Sequence, residues 1–231
     1  MRAETVAADD GLTLAGEELR LLPERALFWT RTATLIIADP HLGKAAAFRT
    51  ASIAVPEGTA DDDLERLSRA ITRCAARRLV ILGDLLHARN GCTAATLAAV
   101  TGWRQRHPDL ELVLVRGNHD AHAGDPPDAW RITCVNDPWH ALPFVMRHVP
   151  GTSAEGYVLA GHLHPAVRLS GAGRQRVTLP CFWFGPRAGV LPAFGGFTGT
   201  AIITPAPGDQ VFVITGDEVI TVPVTRPTSG A

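Results

Sequence analysis

The sequence predicts an α/β sandwich, and three observations carry that expectation. Five short apolar runs of strand type, at residues 34–38, 79–82, 112–115, 144–146 and 157–160, each give way to a polar loop. Helical periodicity fills the gaps between the first of them. Beyond Arg168 the chain turns to short strands separated by glycine and proline. In chain order, Asp61-Asp62-Asp63 opens a segment with Leu64, Leu67, Ile71 and Cys74 at helical spacing, closed by Arg77-Arg78. Its acidic start and basic end both complement the helix dipole. Residues 93–106 predict a second crossover helix, and Asp125-Pro126-Pro127-Asp128 a loop. Strands at 177–178, 200–203, 211–214 and 218–222 predict a second, more antiparallel sheet.

At 231 residues one core suffices, so a single domain is expected over 1–222, followed by a flexible tail over 223–231. The formal net charge is −1 and no run of basic residues occurs, so charge alone does not select nucleic acid as a partner. There is no transmembrane run and no membrane partner is expected. The polar, acidic N-terminus lacks the apolar stretch of a signal peptide, which predicts a cytoplasmic chain. Cys74, Cys92, Cys134 and Cys181 show no CxxC spacing, so neither a zinc knuckle nor a disulfide framework is expected. Cys181, before Phe182-Trp183-Phe184, reads as core.

The polar residues at the ends of the apolar runs form a chemical set: Asp39-Pro40-His41, Gly83-Asp84, Gly117-Asn118-His119-Asp120, His148 and Gly161-His162-Leu163-His164. In open α/β sheets, sites lie beyond the carboxyl ends of strands, so these side chains are expected on one rim. Carboxylate oxygen, imidazole nitrogen and amide oxygen suit divalent manganese, iron or zinc, and no thiolate is offered. Two such ions can clamp the attacking and leaving oxygens of a displacement at phosphorus. Asp84 is the natural bridge between them, with Gly83 allowing a sharp turn beneath it. Asn118 adds a neutral oxygen, limiting negative charge where phosphate must enter. Each motif alone occurs by chance; the signal is their co-occurrence, in order, each behind an apolar run.

This ordered set resembles the calcineurin-like metallophosphoesterase superfamily over residues 39–164. The resemblance implies a four-layer α-β-β-α sandwich with two mainly mixed β-sheets. It implies that Asp39, His41, Asp84 and His164 hold one metal and that Asp84, Asn118, His148 and His162 hold the other, with His140 a nearby competitor for His148. His119 would donate a proton or hydrogen bond to the reacting phosphate, Asp120 would orient its ring, and a metal-bound hydroxide would be the nucleophile. A closer likeness lies in Asp39-Pro40-His41-Leu42-Gly43-Lys44, Gly83-Asp84-Leu85-Leu86-His87 and Leu191-Pro192-Ala193-Phe194-Gly195-Gly196-Phe197-Thr198-Gly199. These resemble the ligase-associated DNA damage response endonuclease family, PdeM. That likeness implies a manganese-dependent phosphodiesterase that nicks DNA and functions in bacterial repair beside a DNA ligase, a helicase and an exonuclease. One departure is Pro40, where the family pattern usually has a non-proline residue; it fixes φ and removes an amide donor at the metal rim.

His87 matches the histidine of a GDLxH motif in repair nucleases of the superfamily, whereas its protein phosphatases carry GDxxDRG. A phosphoprotein substrate is therefore disfavoured, and His87 becomes a catalytic or diester-binding candidate. Lys44 is the one lysine among 22 basic residues, which points either to a compact charge for phosphate or to a solvated helix position. Arg168, Arg174, Arg176 and Arg187 cluster in sequence and could track a DNA backbone, or form a solvated face. Phe182-Trp183-Phe184, Phe194 and Phe197 could stack bases but read more simply as core. The alternative function is a small-molecule or nucleotide phosphodiesterase with the same metals. A non-catalytic scaffold predicts lost ligands, and none is missing.

Overall fold

In strand β4 (Thr34–Ile37), alternate side chains face two different cores: Leu35 and Ile37 join one apolar cluster, Ile36 and the following Ala38 another. All four β4 residues are buried, the pattern of a strand covered on both faces. The computed structural model describes residues 11–50, 52–53, 55, 59–88, 91–170 and 175–224. The expected tail, apart from Pro223 and Val224, lies outside them, as does Arg174.

The first sheet has the order β1 (Leu12–Leu14), β2 (Glu17–Leu22), β3 (Ala26–Trp29), β4, β5 (Arg78–Leu82), β6 (Glu111–Val115), β7 (Ile132–Val135). Its first four strands pair antiparallel and β4 to β7 pair parallel. The parallel part needs crossovers. Helices α1 (Lys44–Thr50) and α2 (Thr59–Cys74) supply the first, and α3 (Ala94–Arg106) the second, with the Thr93 side chain accepting the Thr96 N–H as its cap. Short α4 (Asn118–Ala123) lies between β6 and β7. Leu64, Leu67 and Ile71 of α2 and Val100 and Trp103 of α3 pack on one face of this sheet. Arg77 and Arg78 do not close α2. Ala75, at φ 49°, ends it in a Schellman-type turn, with Ala76 N–H donating to the Ile71 carbonyl, and Arg78 already opens β5.

The second sheet is mixed. It contains β8 (Trp139–Ala141), β9 (Phe144–Met146), β10 (Tyr157–Ala160), β11 (Pro165–Ser170), β12 (Arg176–Phe184), β13 (Ala188–Val190) and β14 (Ala201–Ile202), in the order β14-β11-β12-β13-β10-β9-β8. Strands β15 (Gln210–Thr215) and β16 (Glu218–Val222) extend it from β12. The two sheets bury a shared core that includes Phe144, Met146, Leu159, Phe182 and Phe184 against Ile36, Val80 and Val113. The two mixed sheets with helices are as expected. Among the described residues all four α-helices precede β7, and the smaller apolar clusters on the second sheet hold strand and loop residues. Its mostly antiparallel hairpins need no crossover helices.

Candidate metal centre

Each loop of the site starts where a strand ends: Asp39 and His41 after β4, Asp84 after β5, Asn118 to Asp120 after β6, His148 after β9, His162 and His164 after β10. Because β4, β5 and β6 run parallel, as do β9 and β10, these ends lie on one edge of each sheet. The loops are then bonded to one another. His41 N–H donates to the Asp84 carbonyl at 2.9 Å and Leu42 N–H to that of Leu85 at 2.8 Å. Across the sheets, His162 N–H donates to Asp39 Oδ2 at 2.7 Å.

Five of these residues hold an unusual backbone. Asp39, His41, Asp84, His162 and His164 have φ of 52°, 45°, 52°, 68° and 49°, in the left-handed region that costs a side-chain-bearing residue about 1–2 kcal/mol. The adjoining glycines make room. A Cβ at Gly83, itself at φ 81°, would run into the His148 ring, and one at Gly117 into the Asp84 carboxylate.

Three groupings of donors result, one of them His41 with His87 and His119, and the other two take up the predicted ligands. Asp39, His41 and His164 bring one ligand atom each within 4.8 Å of one another, and so do Asp84, His148 and His162. Asn118 Oδ1 joins the second set, 2.8 Å from His148 Nε2, which is also 3.0 Å from His162 Nδ1. Asp84 stands between the sets: Oδ2 lies 3.7 Å from His41 Nε2, and Oδ1 3.5 Å from His148 Nε2.

Two observations show that the residues fit bound cations. His148 Nδ1 is 3.0 Å from the Leu82 carbonyl, which can only accept, so the neutral ring carries its proton there. Its Nε2 lone pair then faces the lone pairs of Asn118 Oδ1, an arrangement that repels until a positive ion lies among them. Asp39 Oδ1 is buried with no hydrogen-bond partner, 3.6 Å from His164 Nε2. Burial, reinforced by the positive charge of Lys44 and then of neighbouring histidines, pushes the His41 pKa down to about 2, keeping its ring neutral as a ligand must be.

A Calcineurin-like phosphoesterase family profile matches residues 32–181, which contain all five loops. The crystal structure of the Pseudomonas putida nuclease MPE matches with a TM-score of 0.80 and 40% identity, over 92% of this chain and 99% of that one. The chain belongs to the calcineurin-like phosphoesterase family. It is therefore a metal-dependent phosphoesterase that uses divalent cations. The E. coli phosphoesterase Yfce matches at 15% identity and a TM-score of 0.38, over 80% of this chain and 88% of that one, too distant to carry an argument. No curated protein matches the sequence significantly.

Within the phosphoesterase site, the structure places most of the sequence candidates together and redirects a few. His148 is buried inside the second set, while the competing His140 is exposed and lies 3.0 Å from Glu155. His119 stacks on His87 with ring centroids 5.0 Å apart. Asp120 does not orient His119. The His119 Nδ1 lies 2.7 Å from the His87 carbonyl, and the buried Asp120 carboxylate accepts the N–H groups of Asp84 at 2.8 Å, Gly117 at 2.9 Å and Leu86 at 3.4 Å. Consecutive residues of a helix face different ways, so Asp120 turns inward as His119 turns to the site. Lys44 is half-buried and electrostatically coupled to Asp84, His41 and His87, not solvated on the far side of its helix.

The arginines disperse. Arg168 and Arg176 lie on paired strands, but Arg187 sits before β13, at the end of the sheet remote from the metal rim. Phe182, Phe184 and Phe194 are core, and only Phe197 reaches the rim, 5.5 Å from Phe48. Cys181 is buried, and burial pushes its thiol up to about 12, which suits core and not a nucleophile. Asp63, Arg66, Arg25 and Asp137 also support the site, and no local signal marks them. Asp137 accepts the His148 N–H at 3.1 Å and binds Arg147 at 2.8 Å.

Proposed function

We propose that the chain is a binuclear phosphodiesterase that cuts DNA, working with manganese in bacterial repair beside a DNA ligase, a helicase and an exonuclease in the cytoplasm. The observation that carries the two-ion reading is Asp84, one oxygen toward each donor set. When bound, the ions supply positive charge for phosphoryl oxygens and acidify the attacking water. Asp39, His41 and His164 would hold one ion, Asn118, His148 and His162 the other, with Asp84 shared.

The remaining residues act on the phosphate. With the Nδ1 proton of His119 given to the His87 carbonyl, Nε2 faces the side of Asp84 at 3.9 Å, where it accepts a proton as the neutral ring and, once it has taken that second proton, donates it to a phosphate oxygen or leaving group. His87 takes part as a neutral ring: burial, then Lys44 and His119, push its pKa down to about 4. Lys44 adds a point charge at the edge of the site.

Nucleic acid as substrate is supported by two things. The relative matched over nearly its whole length is named a nuclease. The site also has a buried floor of Asp39, His41, Asp84 and His148 and an open rim, with Asn118, His162 and Leu163 exposed, so a polymer can pass across it. A cavity of about 290 Å³ beside His41, lined also by Lys44, Arg49 and Phe197, favours the second reading, a small diester.

The test is incubation of metal-free protein with supercoiled plasmid and with an aryl phosphodiester, with and without manganese, with Asp84→Ala as the control for contaminating nuclease. Manganese-dependent nicking by the parent alone is expected. Aryl diester hydrolysis with intact plasmid would move the substrate to small molecules, and inactivity on both would remove the phosphodiesterase reading.

A further inference from the structure

The loop at residues 193–199 contributes no ligand, yet it is bonded to two members of one donor set. Phe194 N–H donates to the Ala38 carbonyl at 2.7 Å and Gly195 N–H to the carbonyl of Asp39 itself at 3.2 Å. The Gly199 carbonyl lies 3.1 Å from His164 Nδ1. A carbonyl only accepts, so this contact fixes the ring proton on Nδ1 and leaves Nε2 free to bind a cation.

Charged side chains hold the loop from its other side. Asp63, only 6% exposed, accepts the Gly196 N–H with Oδ1 at 2.9 Å and Oδ2 at 3.1 Å. Arg66 binds Asp63 at 2.6 Å, donates to the Phe194 carbonyl and lies 4.5 Å over the Phe194 ring. Arg25 reaches the Ala193 and Gly195 carbonyls at 3.4 and 3.3 Å. The second donor set takes most of its support elsewhere, from the Leu82 carbonyl, Asp120 and Asp137, and is tied to the first set by the bond of His162 N–H to Asp39 Oδ2.

We propose that Asp63, Arg66 and Arg25 form a clamp that, through the loop at 193–199, sets the cation affinity of the Asp39–His41–His164 site while leaving the Asn118–His148–His162 site alone. The proposal rests on the two-ion reading above. The three are positioning residues, and none of them belongs to either donor set. They fix the direction of the Asp39 backbone and the tautomer of His164, and groups that orient ligands in this way are typically worth about 10–100-fold in metal affinity.

The experiment is titration of metal-free protein with manganese, followed by calorimetry and by the paramagnetic resonance of the bound ion, for the parent, Arg66→Ala, Asp63→Asn and Arg66→Lys. Two binding events are expected in the parent. In Arg66→Ala and Asp63→Asn one weakens roughly 10–100-fold and the other moves less than about twofold, with partial recovery in Arg66→Lys. Circular dichroism confirms that each variant is folded, and Arg25→Gln replaces any that is not. A parent that binds fewer than two ions overturns the two-ion reading and the clamp with it. Two ions in the parent, with both affinities unchanged or both weakened equally in folded variants, overturns the clamp alone.

Discussion

Asp120 and the loop at residues 193–199 perform the same task on opposite sides of Asp84. Asp120 is a single buried carboxylate that gathers three N–H groups from the loops after β5 and β6, all in the first sheet. On the other side, Asp39 and His164 come from different sheets, and the loop that joins them is held by side chains more than a hundred residues away in sequence. Neighbouring parallel strands bring their loops close enough for one side chain to hold them. Two sheets meeting at an edge need a separate piece of chain to hold their rims in register.

The strongest way to break this comparison is to remove the residue both halves share. Asp84→Ala is expected to lose bound metal from both sites and to lower turnover by about 10³-fold or more, read by elemental analysis and diester hydrolysis. His119→Ala should keep both ions and lose about 10²–10⁴-fold in turnover, and loss of metal in this variant would make it a ligand. Asp120→Ala strands the N–H groups of Asp84, Gly117 and Leu86, each worth about 1–3 kcal/mol when buried and unpaired, so the melting temperature should fall steeply even in chelator. Asp120→Asn, which keeps one oxygen, should fall between.

A pH series sharpens the picture of the site floor. The folded pKa values of His41 and His87 are pushed down to about 2 and about 4, whereas an unfolded imidazole titrates near about 6.5. Below that value the unfolded chain takes up protons that the folded chain refuses. The stability of metal-free protein is therefore full above about pH 6.5 and lost as pH falls, the His87 share down to about 4 and the His41 share on toward about 2. Melting temperatures in chelator should show this slope, shallower in His87→Gln, and an unchanged slope would place His87 in solvent. The smallest effect is expected at Pro40: Pro40→Ala should leave turnover within about twofold and lower stability by about 0.4–1 kcal/mol through the unfolded chain, read by urea titration.

The comparison also explains what could be read from the sequence. Asp39, Asp84, Asn118 and the histidines were legible because each follows an apolar strand and its residue type suits a cation. Asp63 was not: it is one of three aspartates opening a helix, and only the fold brings it to Gly196, 133 residues on. Asp120 was misread for the converse reason, since adjacency to His119 in sequence becomes divergence on a helix. Arg187 was drawn away from Arg168 because a strand carries its two ends far apart.

The left-handed backbone of the metal ligands has a consequence for directed evolution. Histidine and aspartate adopt φ near 50° more readily than most side-chain-bearing residues, yet glycine adopts it at lower cost. A library of this enzyme screened for heat resistance alone should therefore accumulate glycine or asparagine at positions such as 41 and 164, gaining robustness by discarding catalysis. Any such campaign has to screen for turnover at every round.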